Sequence, residues 1–369
     1  MTTNNPITLS LHHQRQRTLQ RKETLITLAV PILAVVAGLL IAATLIIAAK
    51  VDPIKAYGAL ITGAFGDWWA TGNSLGRATP LILAGLGVAF AFKSGVWNIG
   101  AEGQIYIGAL CATVVGVYVK GLPAFVHLPL SLLAGFMGGA FWGGIAGYFK
   151  AKYQINEVIS TLMLNYIAIY IVGAMVRGPI LAPPGHEPQT EQVLETARLP
   201  IIMAGTRLNA GILLALLAVV IIYIILKLTP LGYEIRAVGE NPVAAKHAGM
   251  NIVWVQVLAM LISGGLAGLA GTSEVLGAQY RLRDMFLPNY GYDALAVAML
   301  GQLHPIGVLI SGVFFGALRA GSGTMQRMVN LPSSLVFVVQ GVVVFMVVST
   351  VFFRELFIKY TRKRNVHAE

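Results

Sequence analysis

Long apolar runs separated by short polar breaks set the rhythm of this chain. The runs are Leu25–Ala49, Leu75–Phe92, Ile99–Val119, Leu128–Phe149, Val158–Val176, Asn209–Leu228, Ile252–Leu276, Tyr292–Leu318 and Ser333–Phe353. Most approach the roughly 20 residues that an apolar helix needs to cross a bilayer. His304-Pro305 interrupts the run at Tyr292–Leu318, and proline ends or kinks a helix at the residue before it. The pattern predicts an all-α membrane protein, a polytopic helical bundle.

Charge then fixes the count. Arg15, Arg17, Arg21 and Lys22 lie before the first run, and Arg354, Lys359, Arg362, Lys363 and Arg364 follow the last. The positive-inside rule places both ends in the cytoplasm, so the number of crossings is even. One crossing per run gives an odd number unless the interrupted run supplies two, Tyr292–Gly301 and Pro305–Leu318. The expected total is about ten transmembrane helices. Residues 1–24 read as a basic cytoplasmic tail, 25–353 as the transmembrane domain and 354–369 as a second cytoplasmic tail. The first apolar run is too long for a signal-peptide core and is expected to remain in the protein. With this topology the loops at Lys93, at Lys150 and Lys152, and at 231–251 face inward. Those at 50–74, 120–127, 177–208, 277–291 and 319–332 face outward, and 177–208 reads as a partly structured flap.

Composition agrees. Of 369 residues, 56% are hydrophobic and 11% charged, against about 25% charged in a soluble domain; the mean hydropathy is +0.74. Forty-one glycines suit closely packed spans. The net charge of +11 reflects basic termini and loops, and no basic patch with interleaved aromatics points to nucleic acid. The single cysteine, Cys111, excludes an internal disulfide and a thiolate metal cluster. There is no G-x-x-x-x-G-K-[ST], hence no usual phosphate loop for ATP, and no H-E-x-x-H. No cofactor or metal is expected on this chain.

Polar residues inside apolar runs carry the candidate chemistry, because an ionisable group in lipid faces a cavity or a partner. Asn98-Ile99-Gly100-Ala101-Glu102-Gly103-Gln104 opens the third run, with glycines that let backbone approach closely. Glu102 either has a structural or gating role, in the simplest case sitting at the cytoplasmic interface and capping its helix with Asn98, or lines a path with Asn98 and Gln104. In Asn156–Tyr166, Asn156 is an N-cap and Glu157 complements the helix dipole. Deeper in, Thr161 and Asn165 share one face at i and i+4; this stripe packs on a helix or faces solute, and Tyr166 follows. Asp293 either caps the helix it enters or offers a carboxylate to the pathway, with Arg77 as a candidate partner.

The remaining feature is the polar stretch Leu231–Asn251. Gly239-Glu240-Asn241-Pro242 is a helix start, with Asn241 as N-cap and Pro242 in the first turn. Val243-Ala244-Ala245-Lys246-His247-Ala248 continues it and Gly249 ends it. Two turns of helix are unstable alone in water, so this element packs on something, either its own membrane domain or a docking partner.

NIGAEGQ (98–104), NEVISTLMLNY (156–166), GENPVAAKHAG (239–249), SGGLAGLAG (263–271) and GYDALAVAMLG (291–301) resemble, in this order, the permease subunits of ATP-binding-cassette importers. The likeness is strongest to the nucleoside group served by basic-membrane-protein-type receptors. The ribose and branched-chain amino acid permeases are more distant. The resemblance covers most of Leu75–Phe353. It implies a ten-helix importer bundle in the bacterial cytoplasmic membrane, with Gly239, Glu240, Asn241, Pro242, Ala244, Ala245 and Gly249 in the element that couples to a separate ATPase subunit. It also implies a second permease subunit, an extracytoplasmic binding protein and a nucleoside cargo. The alternatives are the same machinery with a sugar such as ribose or another small polar solute, or an ion-coupled secondary transporter. The chain itself is not expected to be an enzyme; ATP is used by the partner.

Overall fold

A helix with no polar face must find lipid or other helices on every side. In the computed structural model, which describes residues 33–332, 335–342, 345–346 and 349, that requirement sorts the helices into a buried centre and a lipid-facing rim. The residues fall into two units: Ile54–Asn330, and the end segments Met1–Pro53 with Leu331–Glu369. In the end segments, α1 (Leu33–Ala48) buries Ala34, Ala42 and Ile46 and exposes Leu33, Leu40 and Ile47. The basic tails at 1–24 and 354–369, and most of the run at Ser333–Phe353, lie outside the described residues.

The larger unit holds α2 (Pro53–Phe65), α3 (Trp68–Lys93), α4 (Ala101–Tyr118), α5 (Ala124–Tyr153), α6 (Glu157–Arg177), α7 (Gly211–Leu228), α8 (Pro230–Glu240), α9 (Pro242–His247), α10 (Ile252–Glu274), α11 (Tyr290–Leu300) and α12 (Pro305–Met328). Helix α3 is the axis. Buried along nearly its whole length, it packs against α10, α11 and α12. Helix α10 in turn lies against α5 and α4. The α5–α10 seam is backbone on backbone: a methyl on Gly268 would lie 2.3 Å from the Gly135 carbonyl oxygen, and one on Gly264 2.3 Å from that of Gly139. Small residues at such a seam replace the hydrophobic drive that lipid removes. Helix α7 sits on the rim, exposing Leu213, Leu217, Val220 and Leu228.

Seven helices among the described residues are long and apolar enough to cross a membrane: α3, α4, α5, α6, α7, α10 with its π-helical extension to Gln279, and α12. The expected total of about ten included two crossings from the interrupted run. That run is broken as anticipated, at Gly301–His304, but unequally. Helix α11 has 11 residues and a rise of about 16 Å, half the hydrocarbon thickness. Helix α12 continues to Met328, so most of the expected outer loop 319–332 is helix. The segment 178–210 is irregular but pinned. Thr190, Val193 and Leu199 donate backbone hydrogen bonds to Leu282, Tyr280 and Leu276 (all 2.9 Å), and Leu194 donates to Gly116 (2.9 Å).

Candidate functional site

Between α3 and α4 the chain runs as a non-helical segment, Ser94–Gly100, and polar groups buried there need hydrogen-bond partners. Asn98 meets that demand. Fully buried, it accepts from the Gly100 N–H (3.0 Å) and the Gln104 amide (3.0 Å). Its own amide donates to Gln104 Oε1 (2.9 Å) and to Ser263 Oγ (2.7 Å), midway along α10. The paired amides of Asn98 and Gln104 thus close the entry to α4 and fasten it to α10.

The Thr161–Asn165 stripe packs on the same segment. Both residues are fully buried. Asn165 accepts from the Gly103 N–H (2.8 Å) and donates to the Ile99 carbonyl (2.9 Å) and the Tyr292 hydroxyl (3.4 Å). Thr161 bonds back to the Glu157 carbonyl of its own helix (2.6 Å). The glycines of NIGAEGQ make room for this stripe: a methyl on Gly100 would lie 3.0 Å from Thr161 Cβ, and one on Gly103 2.9 Å from Asn165 Cα. Tyr166 turns the other way and is 57% exposed. Of the two roles open to the stripe, helix packing is the one occupied in this conformation. The N-terminus of α6 is as expected, with Asn156 accepting from Val158 (2.9 Å) and Glu157 paired with Lys150 (2.8 Å).

Glu102 is 2% exposed. Its carboxylate accepts from the backbone N–H groups of Asn289 (2.8 Å) and Gly291 (2.6 Å). It therefore caps the start of α11 from a neighbouring helix, where orphan N–H groups and the helix dipole favour a negative charge. A cap on its own helix, one of the roles open from sequence, is not made: the N-cap position of α4 is Gly100, with no side-chain cap. The two backbones also touch, since a methyl on Gly291 would lie 2.1 Å from the Glu102 nitrogen.

Asp293 does not cap α11; the N-cap position is Asn289. Its carboxylate pairs with Arg319 of α12, whose Nε and Nη2 both lie 2.7 Å away. The Arg319 guanidinium covers the Tyr290 ring at 3.9 Å. Arg77, the partner considered from sequence, instead lines a cavity of about 390 Å³ with Arg207 and Arg327. Ser263, Tyr292 and Arg319 complete the hub, and the sequence pattern singles out neither Ser263 nor Arg319. Arg319 falls one residue beyond the end assigned to its helix, and Ser263 is one small polar residue in a glycine-rich run. Among the described residues, the buried side-chain atoms without a hydrogen-bond partner are Gln189 Oε1 and Arg236 Nη1, neither in the hub. The hub is a saturated, closed network in this conformation.

The second element is α8–α9. Thr229 caps α8, accepting from Gly232 (3.2 Å), and Ile235 and Val238 bury its inner face. Asn241 caps α9, accepting from Ala244 (3.0 Å), with Pro242 in the first turn. Gly249, at φ +84°, follows its end, where Met250 donates to the Ala245 carbonyl (3.1 Å). Ala245 is 3% exposed and anchors α9 to its own chain. Glu240, Asn241, Pro242, Val243, Ala244, Lys246, His247 and Gly249 are exposed, and Gly239 is half-buried. The helix thus packs on its own membrane domain through one residue and leaves the rest of its surface open.

Residues 70–348 match the family described as branched-chain amino acid transport system, permease component. The chain belongs to this permease family. It is 36% identical to the guanosine ABC transporter permease protein NupP of Bacillus subtilis over 91% of this chain and 97% of that protein. It is 37% identical to the glucose ABC transporter permease protein TsgB13 of Haloferax volcanii, over 88% of each. A second guanosine permease protein of B. subtilis, NupQ, is 30% identical over 65% of this chain and 77% of that one. No solved structure shows significant similarity. The chain is therefore an ABC transporter permease component and a multi-pass membrane protein.

Proposed function

We propose that this permease imports nucleosides across the bacterial cytoplasmic membrane, with both termini inside. A binding protein delivers the solute, and a separate ATPase docks on the open face of α9. The observation that carries the reading is the near end-to-end likeness to a guanosine permease protein. The occurrence of two such proteins in B. subtilis supports pairing with a second, non-identical permease. In this scheme ATP-driven closure of the ATPase subunits displaces α8–α9 and shifts the spans between two access states, so the closed hub is one member of that pair. Asn98, Glu102, Gln104, Thr161, Asn165, Tyr166 and Asp293 bound or gate the path.

A sugar cargo is the second reading, because the glucose permease protein is equally similar. Uptake of radiolabelled guanosine by vesicles carrying the full complex, competed with unlabelled nucleosides or with glucose and ribose, separates the two. Competition by nucleosides and not by sugars is expected. Competition by sugars alone transfers the assignment to the second reading.

A further inference from the structure

We infer that the segment Lys93–Glu102 is the lever that carries movement from α8–α9 to the start of α11, with Gly239 and Glu102 as the positioning residues at its two ends. The inference rests on the proposed ATPase docking at α9 and adds the route by which that docking reaches the hub.

At the near end, α8 meets the lever backbone to backbone. A methyl on Gly239 would lie 2.1 Å from the Lys93 carbonyl oxygen and 3.1 Å from the Gly95 nitrogen. Gly95 holds the turn at φ +77°, a conformation L side chains rarely adopt. No flexible side chain stands between the surfaces to absorb a displacement, and close-packed contacts of this kind transmit strain.

The lever itself has little slack. Val96 is fully buried, as is Asn98, and Asn98 spends all its hydrogen-bonding capacity on Gly100, Gln104 and Ser263. At the far end the Glu102 carboxylate holds the N–H groups of Asn289 and Gly291, while the Gly291 backbone rests on the Glu102 nitrogen. Beyond α11, Gln302 and Leu303 both take positive φ, 54° and 55°, in the break before α12. A short helix gripped at one end and bounded by a break at the other is a hinge-shaped element.

The test uses the complete complex with its ATPase, second permease and binding protein in proteoliposomes, and reads solute moved per ATP hydrolysed. Gly239→Ala and Glu102→Gln are compared with Gly58→Ala, whose added methyl meets nothing within 4 Å. Assembled Gly239→Ala and Glu102→Gln complexes should move less solute for each ATP hydrolysed, whatever their hydrolysis rate. Their transport per ATP should fall by about tenfold or more, inside the 5- to 150-fold range of an allosteric coupling, with Gly58→Ala unchanged. An unchanged ratio, or uptake and hydrolysis falling in proportion, overturns the lever. If Gly239→Ala does not assemble, the same ratio in Glu102→Gln decides. Failure of the ATPase to bind the wild-type chain sinks the docking reading itself.

Discussion

Removing the Glu102 carboxylate should release the start of α11. Glu102→Ala leaves the N–H groups of Asn289 and Gly291 without the acceptors they now hold at 2.8 and 2.6 Å. A hydrogen bond to a charged group contributes about 1.5–3 kcal/mol, so the two together account for about 3–6 kcal/mol of local stability. Hydrogen exchange of the purified protein in nanodiscs reads this directly. At tenfold per 1.4 kcal/mol, the amides of Asn289 and Gly291 should exchange roughly 10²–10⁴-fold faster in the variant, with α3 and α10 unaffected. Glu102→Gln, which retains one oxygen acceptor, should fall between. Wild-type exchange at both amides in Glu102→Ala would refute the cap.

Arg319→Ala strands the Asp293 carboxylate in a mostly buried site; a loss of about 3–5 kcal/mol in unfolding free energy is expected, and adding Asp293→Asn should recover much of it. Gly268→Val drives a branched side chain into the Gly135 carbonyl; overpacking costs about 1–3 kcal/mol or more, so the yield of folded protein extracted from membranes should drop. Ala244→Arg alters an exposed position on α9; thermal unfolding should stay at wild type while ATPase copurification weakens about tenfold, corresponding to about 1.4 kcal/mol. Copurification unchanged in Ala244→Arg removes α9 from the docking surface.

Seven spans among the described residues were legible because lipid imposes one rule, an unbroken apolar length; the interrupted run at Tyr292–Leu318 gives one of these and one helix of half that length, so the expected total of about ten is not reached there. The caps at Asn156 and Asn241 were legible for the same kind of reason: a short polar side chain bonds its own next turn, so partner and motif sit together in sequence. The hub was only half visible. NIGAEGQ stands out as polar residues in an apolar run, but its partners Ser263, Tyr292 and Arg319 lie far along the chain, and spacing says nothing of which helices meet. Glu102 illustrates the limit. Local pattern gives it a cap to make, while packing decides that the helix it caps is α11. Ala245 illustrates another: a two-turn helix has no period long enough to tell its buried face from its open one, so a substitution at Ala245 tests local folding as well as docking, which Ala244 does not.

Reconstitution with and without the ATPase is the most direct test of the central claim that this subunit draws its power from a partner seated on α9. Vesicles holding this chain, its companion permease and the ATPase, supplied with binding protein, should accumulate guanosine above the external concentration only when ATP is present. Vesicles lacking the ATPase should never exceed equilibrium. Concentrative uptake by the permease alone would contradict the account.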